Sequence, residues 1–415
     1  MVKENLILPD GWVSKEIGNL YNEKRKSKLK VSDAAKFGGI PFYTSGESIL
    51  EHNEILTQGE NIFLTTGGAA NVKYFRGNVA YSTDTYVINA NENVNAEFLY
   101  YKILDQIYFI NANLFQGSGL KHLQKKNFRK QQLFYPKSVE EQSKIAEVLS
   151  RIDKLIEINE NLISKFKRIK VGLMQDLISN GIDKKGNIRT EISHKFKDSQ
   201  LGRIPEEWEC TNIGSYKNLL TSGSRGWAKY YNVEGSKFIR ITNLKRNQIE
   251  IDVSDMEYVN LPLNVEGSRS KLKLGDILIS ITADLGIIGI VSQNLVDAYV
   301  NQHIALVRLD TSEINTRFLA YYLTSTIGQK MFTIYNDGGA KSGLNLTTIN
   351  NLMFTKPSLE EQKKIVEKLD LIDRNIDKYK SSQDKYKNIK TGLMQDLLTG
   401  KVRVIDLKIE ETDAA

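Results

Sequence analysis

Between residues 145 and 177 apolar side chains return at steps of three and four: Ile145, Leu149, Ile152, Ile156, Ile163, Phe166, Ile169, Leu173 and Leu177, with Asn159 in the one gap. That spacing predicts a coiled-coil helix. It returns 220 residues later as Ile365, Leu369, Ile372, Ile376, Tyr379, Tyr386, Ile389, Leu393 and Leu397, with Gln383 in the seam. Ser138 and Ser358 stand ahead of the pairs Glu140–Glu141 and Glu360–Glu361, an N-cap followed by acidic side chains at the positive helix end. Neither stretch contains a proline, and ~40 residues predict a rod of roughly 60 Å. The rest alternates differently. Short β-rich runs such as Asn78–Ile88, Lys237–Ile241, Ile277–Ile281 and Ala298–Leu309 lie between Gly/Asn/Asp turns, while 96–109 and 316–335 look helical.

The second pattern is a copy of the first. EEQSKIAEVLSRIDK (140–154) recurs as EEQKKIVEKLDLIDR (360–374), and IKVGLMQDL (169–177) recurs as IKTGLMQDL (389–397). Across 140–177 there are 20 identities in 38 positions at a constant offset of 220. Upstream the match weakens: LPDGW (8–12) against IPEEW (204–208), GENIFL (59–64) against GDILIS (275–280), AEFLYYKIL (96–104) against TRFLAYYLT (316–324). A duplication whose helices stayed alike while its globular parts diverged predicts an α+β chain. Two mixed α/β domains, 1–137 and 204–357, alternate with helices at 138–178 and 358–400. A polar connector spans 179–203 and a tail 401–415. Antiparallel pairing of the helices would relate the halves by a pseudo-two-fold axis.

Composition narrows the chemistry. One cysteine, Cys210, rules out an internal disulfide framework and a Cys-based zinc site, and His52, His122, His194 and His303 never fall at metal-ligand spacing. No metal is expected. Without an apolar run of ~18 residues or a signal-peptide core, a cytoplasmic protein without membrane contact is expected. The net charge of +7 is mild but local: residues 1–137 carry 17 basic and 13 acidic side chains, residues 204–357 carry 15 of each. Clusters at Lys24–Lys30 and Lys121–Lys130 fit either a solvated face or a phosphate-binding one. No G-x-x-x-x-G-K-S/T loop and no Pro-Pro pair occur, so neither ATP-driven translocation nor amino-methyl transfer is expected from this chain. Glu361-Gln362-Lys363 carries a half-signature of some nucleases, but it opens a coiled-coil helix. No catalytic constellation emerges, and His303 in its β-like run reads as a core histidine.

These motifs resemble the specificity (S) subunits of Type I restriction–modification systems. The resemblance rests on IPEEW, on PKSVEEQSKIAEVL (136–149) and PSLEEQKKIVEKL (357–369), on the repeated GLMQDL, and on TSGSRGWAKYYNVEGSKFIRITNL (221–244) and VNQHIALVRL (300–309). It covers nearly the whole chain, with LPDGW as a small departure. It implies two target-recognition domains, each reading half of an asymmetric bipartite site on double-stranded DNA. It also implies spacer helices that set the gap and dock two methyltransferase subunits, which restriction/translocase subunits then join. S-adenosylmethionine, ATP and Mg would belong to those partners, adenine-N6 would be the methylated position, and this chain would be non-catalytic. Two alternatives stay open: a self-contained DNA-modifying enzyme, and the same scaffold in a methyltransferase without a restriction partner.

Phosphate contact needs Lys, Arg and turn amides, while base reading needs side chains at groove depth. In the first domain the candidates are Lys24, Arg25, Lys26 and Lys28 as phosphate anchors, then Thr66, Asn71, Lys73 and Arg76 around the loop TTGGAANVKYFRG, and Lys121. In the second they are Ser224, Arg225, Lys229, Tyr230, Arg240, Thr242, Asn243, Lys245, Arg246 and Lys341. Arg225 or Arg240 would suit guanine. Arg240, between Ile239 and Ile241, equally suits a carboxylate on its own sheet.

Overall fold

The computed structural model describes residues 8–261, 269–336 and 343–404. It divides into two units, Met1–Asn161 with Tyr379–Ala415, and Leu162–Lys378.

The first domain opens with β1 (Trp12–Glu16) and β2 (Tyr21–Glu23), then β3 (Ile40–Tyr43), β4 (Leu50–His52), β5 (Glu60–Thr65), β6 (Val72–Arg76), β7 (Ala80–Tyr81) and β8 (Thr85–Ala90). Helices α1 (Ala96–Asp105) and α2 (Ile107–Asn113) lead to the small strands β9 (Phe115–Gln116) and β10 (His122–Leu123). A short helix, α3 (Lys125–Arg129), and β11 (Gln132–Pro136) follow. A four-stranded sheet has the order β2-β8-β5-β6, and a three-stranded one the order β4-β3-β7. β5 is central and buries Ile62, Phe63 and Leu64, as expected of a strand covered on both faces. β1 returns to pair antiparallel with β11, Trp12 opposite Pro136, and delivers the chain to the long helix α4 (Val139–Asn180).

Past α4 come β12 (Phe196–Ser199) and β13 (Gly202–Pro205), and the second domain repeats the plan. Its strands are β14 (Glu209–Asn212), β15 (Lys217–Ser222), β16 (Tyr231–Asn232), β17 (Ser236–Ile239), β18 (Glu257–Val259), β19 (Ile277–Ser280), β20 (Ile288–Ile290), β21 (Tyr299–Val300) and β22 (Ile304–Leu309). Helices α5 (Thr316–Thr324), α6 (Thr326–Asn336) and α7 (Leu346–Asn350) lead to β23 (Met353–Lys356) and the second long helix, α8 (Leu359–Leu397). The sheets run β15-β22-β19-β20 and β16-β18-β17-β21, and β14 pairs with β23. Even the parallel pairings correspond, β3 with β7 and β17 with β21.

Each unit holds the start of one long helix and the end of the other, running antiparallel. Asp153 meets Lys390 at 2.6 Å and Glu141 meets Arg403 in one unit; Lys170 meets Asp373 at 2.6 Å and Glu361 meets Arg189 in the other. The apolar seam faces the core: Ile145 and Leu149 in one unit, Ile365 and Leu369 in the other, are fully buried. Ile152, Ile156, Phe166, Leu173, Tyr386 and Leu393 are half-buried, Ile372 and Ile376 buried. One position differs from the expected seam. Ile169 and Ile389 are 42% and 37% exposed, and the next residues, Lys170 and Lys390, turn inward. Heptad steps of 163, 166, 170, 173, 177 explain this: the long lysine stem packs in the seam while its amine finds a carboxylate.

The expected connector is structured as well. Gly181 ends α4 with φ +64, and a Cβ there would collide with Glu361 and Trp208. Gly400 does the same after α8 against Pro9 and Trp12, with φ +74. Ile182 and Arg189 are buried in the second unit, and Val404 from the tail in the first. Glu361 is held by Arg189 and by the indole N–H of Trp208, which gives its Glu-x-Lys pattern a structural use.

The domains are seated by a repeated socket. The Gln142 side chain accepts from Asn95 N at 2.8 Å and donates to Pro136 O at 2.9 Å; Gln362 accepts from Asn315 N and donates to Pro357 O at the same distances. Asn95 and Asn315 in turn cap α1 and α5.

In the first unit Lys102 is buried and donates to Leu398 O at 2.8 Å, and burial pulls its amine down to about 8 against a smaller opposing pull from Asp105. The folded chain therefore releases this proton near pH 8, the unfolded chain only near 10.4. Between those values the unfolded state binds the extra proton, so stability rises with pH. Lys102→Met is expected to flatten that rise, and thermal unfolding of both proteins at pH 8 and pH 10 checks it.

Among the described residues no helix is long and apolar enough to cross a membrane. None of their His, Cys, Asp and Glu side chains cluster in threes to hold a metal.

Candidate nucleic-acid interface

In the first domain three loops meet at one end of the four-stranded sheet. The loop leaving β2 is strapped down by its backbone: Lys24 N donates to Val87 O at 2.9 Å, Tyr81 Oη to Arg25 O at 2.7 Å, and Thr83 N to Leu29 O at 2.7 Å. Arg25, Lys26 and Lys28 are exposed and Lys24 half-exposed, and none of the four forms an ion pair among the described residues. The loop leaving β5 joins them through Thr66, whose N and Oγ1 both donate to Asp84 O, at 3.1 and 2.8 Å. Thr66 O accepts from Leu123 N at 3.0 Å, and Lys121 O from Gly68 N at 2.9 Å. This brings Lys24–Lys28, Thr66 and exposed Lys121 to one rim.

Asn71 and Lys73 do other work. Asn71 closes the β5–β6 turn through its backbone. The Lys73 amine donates to Gly46 O beside the Tyr43 ring, and burial lowers its pKa against a raising effect of Glu47. Arg76 is exposed at the far end of β6, across from Glu60.

The second domain has the same rim. The loop leaving β15 carries buried Ser224, exposed Arg225 and Lys229, and half-buried Tyr230. Trp227 anchors it by packing on Phe238, ring centroids 4.5 Å apart. Lys229 lies over the Tyr230 ring at 4.9 Å. The loop leaving β19 is held by Ile281, whose N donates to His303 O and whose O accepts from Leu344 N, both at 2.9 Å.

The run 240–246 departs from the expected readout. Arg240 donates to Glu257 and Asp255, each at 3.0 Å, the carboxylate pairing its neighbours suggested. Asn243 is only 2% exposed. Its amide accepts from Arg240 N and donates to Asp252 O and Asp255 O, so it braces a turn and presents nothing outward. Arg246 is bound to Asp284 and Gln329, and Lys245 lies 3.4 Å from Asp252. Thr242 is exposed, and Lys341 lies outside the described residues.

Sequence reasoning missed the turn ahead of β8 and of β22, Ser82-Thr83-Asp84 and Asn301-Gln302-His303, which lies between the rim loops. His303 is no core residue: it is half-buried, bonded to Thr282 and Gln302. The available signal was the polar triplet NQH opening an otherwise apolar run.

A family model described as the Type I restriction modification DNA specificity domain matches residues 9–168 and again 205–385. The chain belongs to this family. Across 97% of its length this specificity subunit is 26% identical to the Type I restriction enzyme MjaVIII specificity subunit of Methanocaldococcus jannaschii, covering 95% of that protein. It is 24% identical to the Type I restriction enzyme EcoBI specificity subunit of Escherichia coli, over 67% of its own length and 59% of that protein. Its fold resembles the crystal structure of the S subunit of a Type I restriction–modification system from M. genitalium, with TM-score 0.65 and 18% identity over 95% of this chain and 98% of the other. A chain from a study of Type I complex assembly and conformational transition aligns with TM-score 0.52 and 17% identity, covering 95% of this chain and all of the other. A specificity subunit is a non-catalytic DNA-recognition component of its restriction–modification complex.

Proposed function

We propose that each domain of this specificity subunit reads one half of an asymmetric bipartite DNA site with the loops at the rim of its four-stranded sheet. The observation that carries this is the same frame built twice around unlike side chains: a basic loop leaves the first sheet strand in both domains, yet one holds Lys24, Arg25, Lys26 and Lys28 and the other Ser224, Arg225 and Lys229. Such loops supply phosphate anchors that position and variable side chains that specify. The two long helices set the gap and dock two methyltransferase subunits. Restriction subunits join that core, and S-adenosylmethionine, ATP and Mg belong to those partners.

One helix face supports paired docking. Lys165, Ile169 and Gly172 are exposed and recur as exposed Lys385 and Ile389 and half-buried Gly392. A Cβ at Gly172 or Gly392 would meet nothing within 4 Å. A mid-helix glycine costs about 1 kcal/mol relative to alanine, and no contact among the described residues calls for it. Close approach of the same partner to two equivalent faces gives it a use.

Co-expression with a cognate methyltransferase, followed by mapping of modified bases on genomic DNA, tests the reading. A bipartite motif with two unlike halves and a fixed gap is expected, from complexes holding two methyltransferase subunits per chain. A single contiguous motif overturns it. Neutralising Lys24, Arg25, Lys26 and Lys28 together is expected to lower the slope of log affinity against log salt by about 2–4. An unchanged slope would remove the cluster from the phosphate contacts.

A further inference from the structure

The turn between the two sheets occupies the same place in both domains. Ser82 N donates to Tyr43 O at 2.9 Å, and Asn301 N to Ile239 O at 3.1 Å. On one side lies the loop leaving the first sheet strand. Thr83 N donates to Leu29 O, and in the second domain Gly223 comes so close that a Cβ would lie 2.1 Å from Val300 O and 2.2 Å from Asn301 O. On the other side lies the loop leaving the central strand, through Thr66 in one domain and Thr282 in the other. The frame is shared and the side chains are not: Thr83-Asp84 stands where the second domain has Gln302-His303.

In the second domain those side chains form a hydrogen-bonded chain. Gln302 Nε2 lies 2.9 Å from His303 Nε2, and His303 Nδ1 lies 2.8 Å from Thr282 Oγ1. An amide nitrogen only donates, so His303 Nε2 accepts. The other ring nitrogen is tied to Thr282, so the imidazole is held at both ends. His303 N is held in turn by Asn301 Oδ1 at 3.1 Å. A free glutamine amide presents its two ends in either order, but this one is fixed. Its second N–H and its Oε1 remain, the donor and acceptor that match N7 and the N6 amino group of adenine in the major groove.

We propose that Gln302 reads an adenine in the half-site of the second domain, with His303 as the positioning residue that orders the amide and Thr282 as the anchor of the ring. This rests on the reading that each domain recognises one half-site. It makes the first domain, which has no amide there, read the equivalent position by other means.

The full chain, with its methyltransferase, is mapped on genomic DNA as wild type, Gln302→Ala, Gln302→Glu, Thr282→Val and Thr282→Ser. Gln302→Ala is expected to relax one A·T pair in one half-site by about tenfold, with the other half and the gap unchanged. Gln302→Glu replaces the donor end by an acceptor and is expected to shift that pair toward cytosine. Thr282→Val is expected to relax the same pair, and Thr282→Ser, which keeps the hydroxyl, to retain the wild-type motif. Where methylation falls, relative binding to four duplexes differing at that pair gives the same readout. An unchanged preference in both Gln302 variants, or equal loss of binding to all four duplexes, overturns the assignment. A wild-type motif without two halves instead overturns the half-site reading beneath it.

Discussion

Replacing Glu361 by alanine is expected to destabilise the second unit by about 3–5 kcal/mol, the cost of breaking a buried ion pair on one side only. Glu361 gathers four donors: both terminal nitrogens of Arg189, the indole of Trp208 at 3.2 Å and the Ile182 amide at 2.9 Å. Truncation strands a guanidinium whose side chain is 8% exposed, leaving Glu207 at the surface as its remaining carboxylate. The indole and the amide lose their acceptor too. The equivalent change, Glu141→Ala, is expected to cost less. Arg403, its partner, is 29% exposed and can turn to water. Hydrogen exchange across 179–210 and 359–365, compared with the same measurement around 139–145 and 398–404, reads both effects. A Glu361→Ala cost below about 1 kcal/mol would mean that the cluster is not the fastening described here.

The second large effect is expected at Asp373. Its carboxylate takes the Lys170 amine at 2.6 Å and the Tyr321 hydroxyl at 2.7 Å. Burial first, then Asp373 and Asp370, push the Tyr321 hydroxyl well above its ordinary range, so it stays a donor. The Lys170 side chain is 7% exposed, and without Asp373 its amine keeps, among the described residues, Asn247 O at 3.4 Å and the face of the Tyr321 ring at 5.4 Å. Asp373→Ala is expected to cost about 2–4 kcal/mol. The Lys170→Met, Asp373→Leu double variant is expected to recover most of it, since an apolar pair of similar volume avoids the desolvation. Asp153→Ala, at the equivalent cluster of Asp153, Lys390 and Tyr101, is expected to cost less because the Lys390 side chain is 19% exposed. A denaturation cycle over the single and double variants measures the coupling. Additive effects would exclude it.

The helices, the duplication and the module plan were legible because periodicity and repetition are carried by the chain itself. The seam was misread by one residue at Ile169 and Ile389. An apolar-period reading favours isoleucine, while the inward residue is a lysine whose carboxylate lies 203 positions away along the chain. The rim was half legible for a similar reason. Exposed Arg25, Lys26, Lys28 and Arg225 announce themselves by charge, but the fate of Arg240, Asn243 and Arg246 depends on Asp252, Asp255, Glu257 and Asp284, whose approach only the folded loops reveal. Gln302 and His303 carry no charge signal, and their placement comes from a turn flanked by two loops distant in sequence.

The sockets at Gln142 and Gln362 hold their domains by backbone groups of Asn95 and Pro136, or Asn315 and Pro357, and by caps that are asparagine in both. A seat that recognises main chain is indifferent to what the rim displays. The rim loops of the two halves can therefore differ while the same two bonds seat each domain on its helix.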